Sequence, residues 1–384
     1  MTTIGRTTGS RVIAPLQSVE AREAALLARY AMRSADTAGR KYAEPAHPYR
    51  GPFQRDRDRI VHSSAYRRLS GKTQVFTGEM GDYHRTRLTH TLEVASVART
   101  LGRALALNED LIEALALVHD LGHPPFGHAG EDVLNECLGA QGGFSHNRHA
   151  LRIVEVLETR YHDFPGLNLS REVLEGQAAR VDKSRAGLRP LLEAQVVEAA
   201  DSVAYDTHDA DDALELGLLS LGEVLSTSLW SQAARRLRTE LTALSPGELR
   251  RAVLHELIDW QVSDLLHQAA QRLAEGTIDS PQAAREEELV VAPSKELAEQ
   301  KAELESFLHE RVYRHPLVLG ERGRVQHRLR AMFEAFVGRP ELLPAGFRGG
   351  VESAGPAVAA VDYLASLTDP FALREYERVF ASTH

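Results

Sequence analysis

The chain has 384 residues, of which 43% are hydrophobic and 26% are charged, a composition typical of globular proteins. The net charge of −9 excludes a uniformly basic nucleic-acid-binding protein, and the single cysteine, Cys137, excludes a disulfide framework and a cysteine-based zinc or iron–sulfur site. No apolar run approaches the roughly 18 residues of a membrane span, and the first residues lack a signal core. We therefore expect a cytoplasmic protein without a membrane partner.

Apolar residues recur about every 3.6 residues along most of the chain, whereas alternating β-branched runs are nearly absent. This pattern predicts an all-α fold. It divides the chain into an N-terminal tail, arm helix (21–33) and linker (1–52), a helical core (53–220) and a C-terminal helical region packed on the core (221–384). Residues 1–19 are expected to be disordered, and the Gly- and Pro-rich stretch 338–356 is expected to be a loop. The helices are predicted at 54–69, 88–106, 109–121, 128–138, 146–160, 190–219, 226–243, 246–274, 294–313, 322–337 and 357–383.

The segment 50–87 is basic, with nine Lys and Arg against four acids. Arg87 lies three residues before His90 and therefore shares its helix face, where a guanidinium suits a bidentate contact to phosphate. The stretch from Arg55 to Arg59 is expected to be partly a solvated basic face.

Two histidines and two carboxylates lie on apolar helix faces. His90, His119 and Asp201 each continue an apolar stripe, and Asp120 follows His119 directly. Taken singly, each is more often a core or surface residue, but seven of the 17 histidines lie between residues 84 and 149, and the joint pattern favours a metal site. Such a donor set suits Mn, Mg, Fe, Co, Ni or Zn and does not distinguish among them.

Several longer motifs surround these residues. They are RDRDRIVHSSAYRRLSGKTQVF (55–76), RTRLTHTLEVA (85–95), HDLGHPPFGHAGE (119–131), GGFSHNRHALRI (142–153), GLNLSREVLEG (166–176), ADSVAYDTHDADDA (200–213) and VDYLASLTDPFALREY (361–376). With them, the chain resembles the HD-domain metal-dependent phosphohydrolases, and more closely their deoxyguanosine-triphosphate triphosphohydrolase-like branch. Two positions depart from that pattern: the LEG segment continues as QAARVDKSR where a histidine is usual, and Pro370 replaces a common basic residue.

The resemblance implies a role for each matching residue. The metal ligands would be His90, His119, Asp120 and Asp201. His128, oriented by Glu131 three residues later, would be the catalytic acid, with His123 and His146 lining the same phosphate pocket. Gln74, Arg87, Tyr205 and Asp209 would bind the phosphates and the sugar of the substrate.

The implied reaction is metal-dependent hydrolysis of dGTP, or of several dNTPs, to the deoxynucleoside and inorganic triphosphate. The resemblance also implies a homo-oligomer, either a tetramer or a hexamer. The effector could be a dNTP or single-stranded DNA, and the sequence does not decide between them. Two alternatives stay open: another HD phosphohydrolase acting on nucleoside monophosphates or signalling nucleotides, and a nucleotide- or single-strand-sensing oligomer with low turnover. The phosphate product distinguishes the first alternative, and the pair His128 and Glu131 argues against the second.

Overall fold

The computed structural model describes residues 17–74, 85–181, 189–237, 244–276, 278–287 and 289–380. Over these ranges the chain forms 18 α-helices and no β-strand, which confirms the all-α prediction. No helix in the described ranges is both long and apolar enough to cross a membrane. The division into three regions stays a prediction.

The helices up to residue 215 carry most of the predicted site. They are α1 (Val19–Leu26), α2 (Pro52–Val61), α3 (Ser64–Arg68), α4 (Arg87–Ala104), α5 (Glu109–Val118), α6 (Gly127–Cys137), α7 (His146–Arg152), α8 (Arg171–Val181) and α9 (Leu192–Glu215). Helices α4, α5 and α9 pack through side chains such as Val94, Ile112 and Val197, all buried in one hydrophobic cluster. Helices α4 and α5 approach so closely that a Cβ at Gly102 would lie 2.1 Å from Ile112 Cδ1. We call this the first cluster.

The remaining helices form two further clusters, although two of them contribute Leu265 and Ala284 to the first cluster. They are α10 (Leu221–Val224), α11 (Ser228–Arg236), α12 (Pro246–Glu275), α13 (Pro281–Glu286), α14 (Lys295–Leu308), α15 (Pro316–Gly338), α16 (Ala345–Ala354), α17 (Pro356–Ser366) and α18 (Asp369–Phe380). Helices α15, α17 and α18 share what we call the second cluster, and this cluster also contains the apolar side of α6. The third cluster joins the end of α9 to α10, α11, α12 and α14.

Helix α6 therefore packs with helices that lie far away in sequence. Its Val133 and Leu134 are buried with Leu329 and Phe336 of α15. The Gln326 side chain donates a hydrogen bond to the Ala129 carbonyl at 3.2 Å. As a result, α6 is held by the C-terminal helices.

Several sequence predictions differ from the structure. The helix predicted at 357–383 is two helices, because Pro370 lacks an N–H and fits only the first turn of the new helix α18. The predicted loop 338–356 contains α16, whose Phe347 and Val351 pack on the second cluster. Helix α8 was not predicted, since its packing relies on Gly176, where a Cβ would lie 2.4 Å from Leu115.

The N-terminal segment differs as well. The predicted arm helix 21–33 ends at Leu26, and the chain continues through an extended Leu27 and a turn to a short 3-10 helix, Ser34–Asp36. Ala31 and Met32 are nevertheless buried in the first cluster, and the Met32 N–H donates to the carboxylate of Glu193 at 2.9 Å. Most of the segment predicted to be disordered, residues 1–16, lies outside the described residues.

Candidate active site

Four predicted metal ligands lie together where α4, α5 and α9 pack. Donor atoms of His90, His119 and Asp120 lie within 4.8 Å of one another. Asp201 adds a fourth ligand from α9, because its Oδ1 lies 3.1 Å from His90 Nε2 and 3.7 Å from His119 Nε2. We call these four residues the metal group.

Each carboxylate of the metal group is held by one arginine through its outer oxygen. Arg87 donates to Asp120 Oδ2 at 2.9 Å, and Arg180 donates to Asp201 Oδ2 at 2.5 Å. The Oδ1 atoms of both carboxylates are left facing the histidines. Burial opposes ionisation, but Arg87 beside Asp120, and His119 and Arg180 beside Asp201, hold the pKa of each carboxyl well below its usual value. Both groups are therefore anions that turn one oxygen toward the histidines.

His119 faces this group with an unprotonated nitrogen. Its Nδ1 lies 2.6 Å from the Ala116 carbonyl, which can only accept a hydrogen bond, so Nδ1 carries the proton. The Nε2 atom is buried and has no hydrogen-bond partner in the part of the chain that the structure describes, and burial lowers the pKa of the ring. A buried lone pair beside two carboxylate oxygens is satisfied by a cation. The residues present therefore fit a divalent metal ion.

A second group of polar residues centres on Glu131. Its Oε2 lies 3.2 Å from His128 Nδ1, and its Oε1 lies 2.8 Å from both the Nδ1 and the backbone nitrogen of His146. Burial opposes ionisation of Glu131, but the hydrogen bonds from both histidines lower its pKa far below the usual value. The His128 side chain is 69% exposed, unlike any member of the metal group. We call His128, Glu131 and His146 the acid group.

His123 joins the two groups. Its Nε2 lies 3.2 Å from Asp120 Oδ1, and its ring stacks on His146 with 3.8 Å between centroids. The Nδ1 atom is buried without a partner. His123, Glu131 and His146 also lie close enough together to hold an ion of their own. The structure thus brings both predicted groups into one continuous site.

Gln74 and Arg87 line the same site. The Gln74 carbonyl accepts a hydrogen bond from Arg87 Nη2 at 3.0 Å, while its side-chain Oε1 is buried with no partner among the described residues. Gly127 has a positive φ of 54°, and a Cβ there would lie 3.0 Å from Arg87 Nη2 and 3.2 Å from the Gln74 carbonyl. A glycine therefore allows the start of α6 to approach these two residues.

Tyr205 and Asp209 lie together on α9, joined by a residue that the sequence did not indicate. The Tyr205 hydroxyl is 3.0 Å from that of Tyr313, which in turn donates to Asp209. Burial raises the pKa of Asp209 to about 7 and that of Tyr205 to about 12. Tyr313 ends a π-helical turn, His309–Tyr313, 104 residues after Asp209, so no local spacing connects the two.

Arg180 is the second residue missed, and the stretch from Arg55 to Arg59 is more buried than the partly solvated face that was expected. Arg180 lies in the QAARVDKSR stretch that departs from the family pattern. Arg59 is buried and pairs with Glu44, so this part of the run is not a solvated face. Arg57 pairs with Glu113 at 3.3 Å. These arginines stabilise the fold around the site.

Comparisons with known proteins relate this chain to two families and to several curated proteins. The HD domain family matches residues 87–206, and the phosphohydrolase-associated domain family matches residues 291–378. A deoxyguanosinetriphosphate triphosphohydrolase-like protein of Nitrosomonas europaea is 41% identical over 369 residues, covering 93% of this chain and 98% of that protein. A protein of the same description from Geobacter metallireducens is 42% identical over 367 residues, covering 92% and 95%. Among solved structures, a hypothetical protein from Aquifex aeolicus has 17% identity and a TM-score of 0.42, covering 86% of this chain and 72% of that one.

Proposed function

The chain belongs to the HD-domain family of deoxyguanosinetriphosphate triphosphohydrolase-like proteins, and from this premise we propose that it hydrolyses dGTP, or several dNTPs, to the deoxynucleoside and inorganic triphosphate. The observation that carries the proposal is the arrangement around His119. Its unpartnered Nε2 faces the inner oxygens of Asp120 and Asp201, each anchored from outside by an arginine. This arrangement adjoins an exposed histidine backed by an ionised glutamate.

The metal group would hold a divalent ion. Its donor set suits Mn, Mg, Fe, Co, Ni or Zn alike. Such an ion supplies a Lewis acid for phosphate oxygens and makes water a better nucleophile. The arginines keep Asp120 and Asp201 ionised and fix which oxygen each presents. His90 and His119 contribute neutral donors from α4 and from the end of α5.

His128 would protonate the 5′-oxygen that leaves from the α-phosphorus. It is exposed enough to reach substrate, and Glu131 orients its ring through Nδ1, leaving Nε2 to carry the transferred proton. Because Glu131 stays ionised, it can accept the hydrogen bond that fixes this ring. Among the described residues, the Nε–H of Arg87 is buried without a partner, so it is available to donate to a phosphate oxygen.

Gln74, Tyr205 and Asp209 would bind the deoxyribose. The unpartnered Oε1 of Gln74 can accept from the 3′-hydroxyl, and the hydroxyl network of Tyr205, Tyr313 and Asp209 offers both donors and acceptors. A site that hydrogen-bonds this hydroxyl penalises its loss, because buried partners are left unmet. A 2′,3′-dideoxynucleotide should therefore be hydrolysed more slowly than the matching dNTP.

The test is incubation of metal-loaded protein with each dNTP separately, followed by chromatography that resolves nucleoside, monophosphate, pyrophosphate and triphosphate. Deoxynucleoside and triphosphate in equal amounts are expected. Release of monophosphate and pyrophosphate would overturn the triphosphohydrolase assignment in favour of another HD phosphohydrolase. Tight dNTP binding without any product would favour a sensing oligomer.

We also propose a cytoplasmic homo-oligomer, a tetramer or hexamer, with a dNTP or single-stranded DNA as effector. The single cysteine is consistent with a reducing compartment. Exposed apolar side chains on the C-terminal helices, such as Leu317 and Phe371, offer surface for association. Light scattering with and without each effector class measures the assembly.

A further inference from the structure

Asp369, at the start of α18, joins two loops of the site. Its Oδ2 accepts hydrogen bonds from the backbone nitrogen of Thr73 at 3.0 Å and from the Thr73 hydroxyl at 2.6 Å. Its Oδ1 accepts from the backbone nitrogen of Phe126 at 2.9 Å. Thr73 immediately precedes Gln74, and Phe126 immediately precedes α6. One buried carboxylate therefore holds the backbone beside the sugar-binding residue and beside the acid-bearing helix.

Lys72 makes a parallel connection. Its buried ammonium group donates to the His123 carbonyl at 2.5 Å and to the Ala365 carbonyl at 2.8 Å. The same three segments, 72–74, 123–126 and 365–369, are thus linked twice. Neither connection touches a member of the metal group directly.

The start of α6 depends on such an anchor. Phe126 adopts a left-handed conformation with φ of 63°, which is uncommon for a residue with a large side chain. Phe126 is the N-cap residue of α6, and its side chain cannot make a capping hydrogen bond. The Phe126 N–H is instead bound by Asp369. The hydrophobic side of α6 then packs on α15. The direction in which α6 leaves this turn decides where His128 and Glu131 lie.

We propose that Asp369 is a positioning residue, which fixes His128 and Gln74 relative to the metal group and so makes proton transfer and sugar contact depend on the phosphohydrolase-associated region. Metal binding does not share this dependence, because its ligands lie on helices of the first cluster. The kinetic part of the inference rests on the proposed function; the structural part does not.

The test compares two conservative variants of buried carboxylates in α18. Asp369→Asn keeps the size of the side chain, but its single amide oxygen can accept from Thr73 or from Phe126 and not from both, so one of the two connections is lost. Glu375→Gln is the matched control, since Glu375 is also buried and its partners, Tyr363 and Arg378, both lie within the C-terminal helices. Each variant is measured for metal content, dNTP kinetics and backbone hydrogen exchange.

For Asp369→Asn we expect kcat for a dNTP to fall about 10²-fold, the effect of a displacement near 1 Å, with KM changing less and metal content unchanged. The loss should be much smaller with bis(4-nitrophenyl) phosphate, because nitrophenolate leaves without being protonated. Exchange should accelerate at whichever of Thr73 and Phe126 loses its acceptor and along α6, but not in α4, α5 or α9. Glu375→Gln should show none of these changes.

Equal behaviour of the two variants, or loss of metal from Asp369→Asn, would overturn the inference. An equal loss on dNTP and on bis(4-nitrophenyl) phosphate would show that Asp369 does not act through the acid. If the wild-type protein leaves every dNTP intact, the proposed function fails by itself. The exchange comparison then decides alone whether Asp369 positions α6.

Discussion

His123 contacts both the metal group and the acid group, yet different parts of the molecule hold the metal ligands and helix α6, which carries His128 and Glu131. His90 and His119 are buried on helices whose apolar sides form the first cluster. His128 is largely exposed on α6, whose apolar side belongs to the second cluster with α15 and α17. Neighbouring residues of one site therefore draw their stability from separate hydrophobic clusters. A substitution that disturbs one cluster should impair one half of the chemistry and spare the other.

The largest effect is expected from removing a ligand on the buried side. His119→Ala and Asp201→Ala should each abolish metal retention and turnover, because the remaining buried donors lose the ion that satisfies them. Metal content measured after dialysis checks this. His149→Gln is the control, since His149 is also buried with an unpartnered Nε2 but lies outside the metal group. Full metal content in either alanine variant would refute the ligand assignment.

A smaller but specific effect is expected from the exposed side. His128→Asn should keep its metal and bind dNTP, while turnover falls roughly 10²- to 10⁴-fold, the usual range for a lost general acid. Glu131→Gln should cost less in the same step, because it only orients the acid. Metal analysis combined with single-turnover kinetics separates the two halves. If His128→Asn lost its metal and kept its turnover per bound ion, the two groups would not be separate.

The arginines that hold the carboxylates should have a moderate effect. Arg180→Gln frees the outer oxygen of Asp201, and we expect metal affinity to fall roughly 10- to 100-fold, as for other residues that orient ligands. Competition with a chelator measures it. Arg152→Gln is a matched control. Arg152 also holds a carboxylate, donating to both oxygens of the buried Asp362 at 2.8 and 2.6 Å, but this pair lies outside the metal group. Equal affinity in both variants would remove Arg180 from the site.

The smallest effect concerns pH and stability. Burial raises the pKa of Asp209 to about 7 from its ordinary 3.8, so between these pH values the folded chain holds a proton that the unfolded chain has lost. The stability that Asp209 contributes is therefore present below about pH 3.8 and is lost as pH rises to about 7. Asp209→Asn should lack this part of the pH dependence in urea unfolding. Identical slopes for both proteins would show that Asp209 titrates normally.

The sequence predicted the buried side better than the rest. His90, His119 and Asp201 lie on apolar helix stripes and therefore face the interior. The packing of three helices then brings them together independently of the loop conformations. Arg180 was not predicted, because α8 packs through Gly176 and its sequence shows little helical periodicity of apolar residues. Tyr313 and Asp369 act across 104 and 243 residues, respectively, and single-chain patterns of spacing do not encode such contacts. Asp369 was also predicted to lie inside one continuous helix, 357–383, so the apolar pattern did not indicate that a new helix starts at this residue.

The distance of 243 residues between Phe126 and Asp369 also sets an order of events during synthesis. All members of the metal group precede residue 202, so their helices leave the ribosome well before α15, α17 and α18 exist. Helix α6 can complete its packing only after those last helices have been made. Contacts this distant slow the final folding step, and they delay assembly of the acid half until the nascent chain is almost complete.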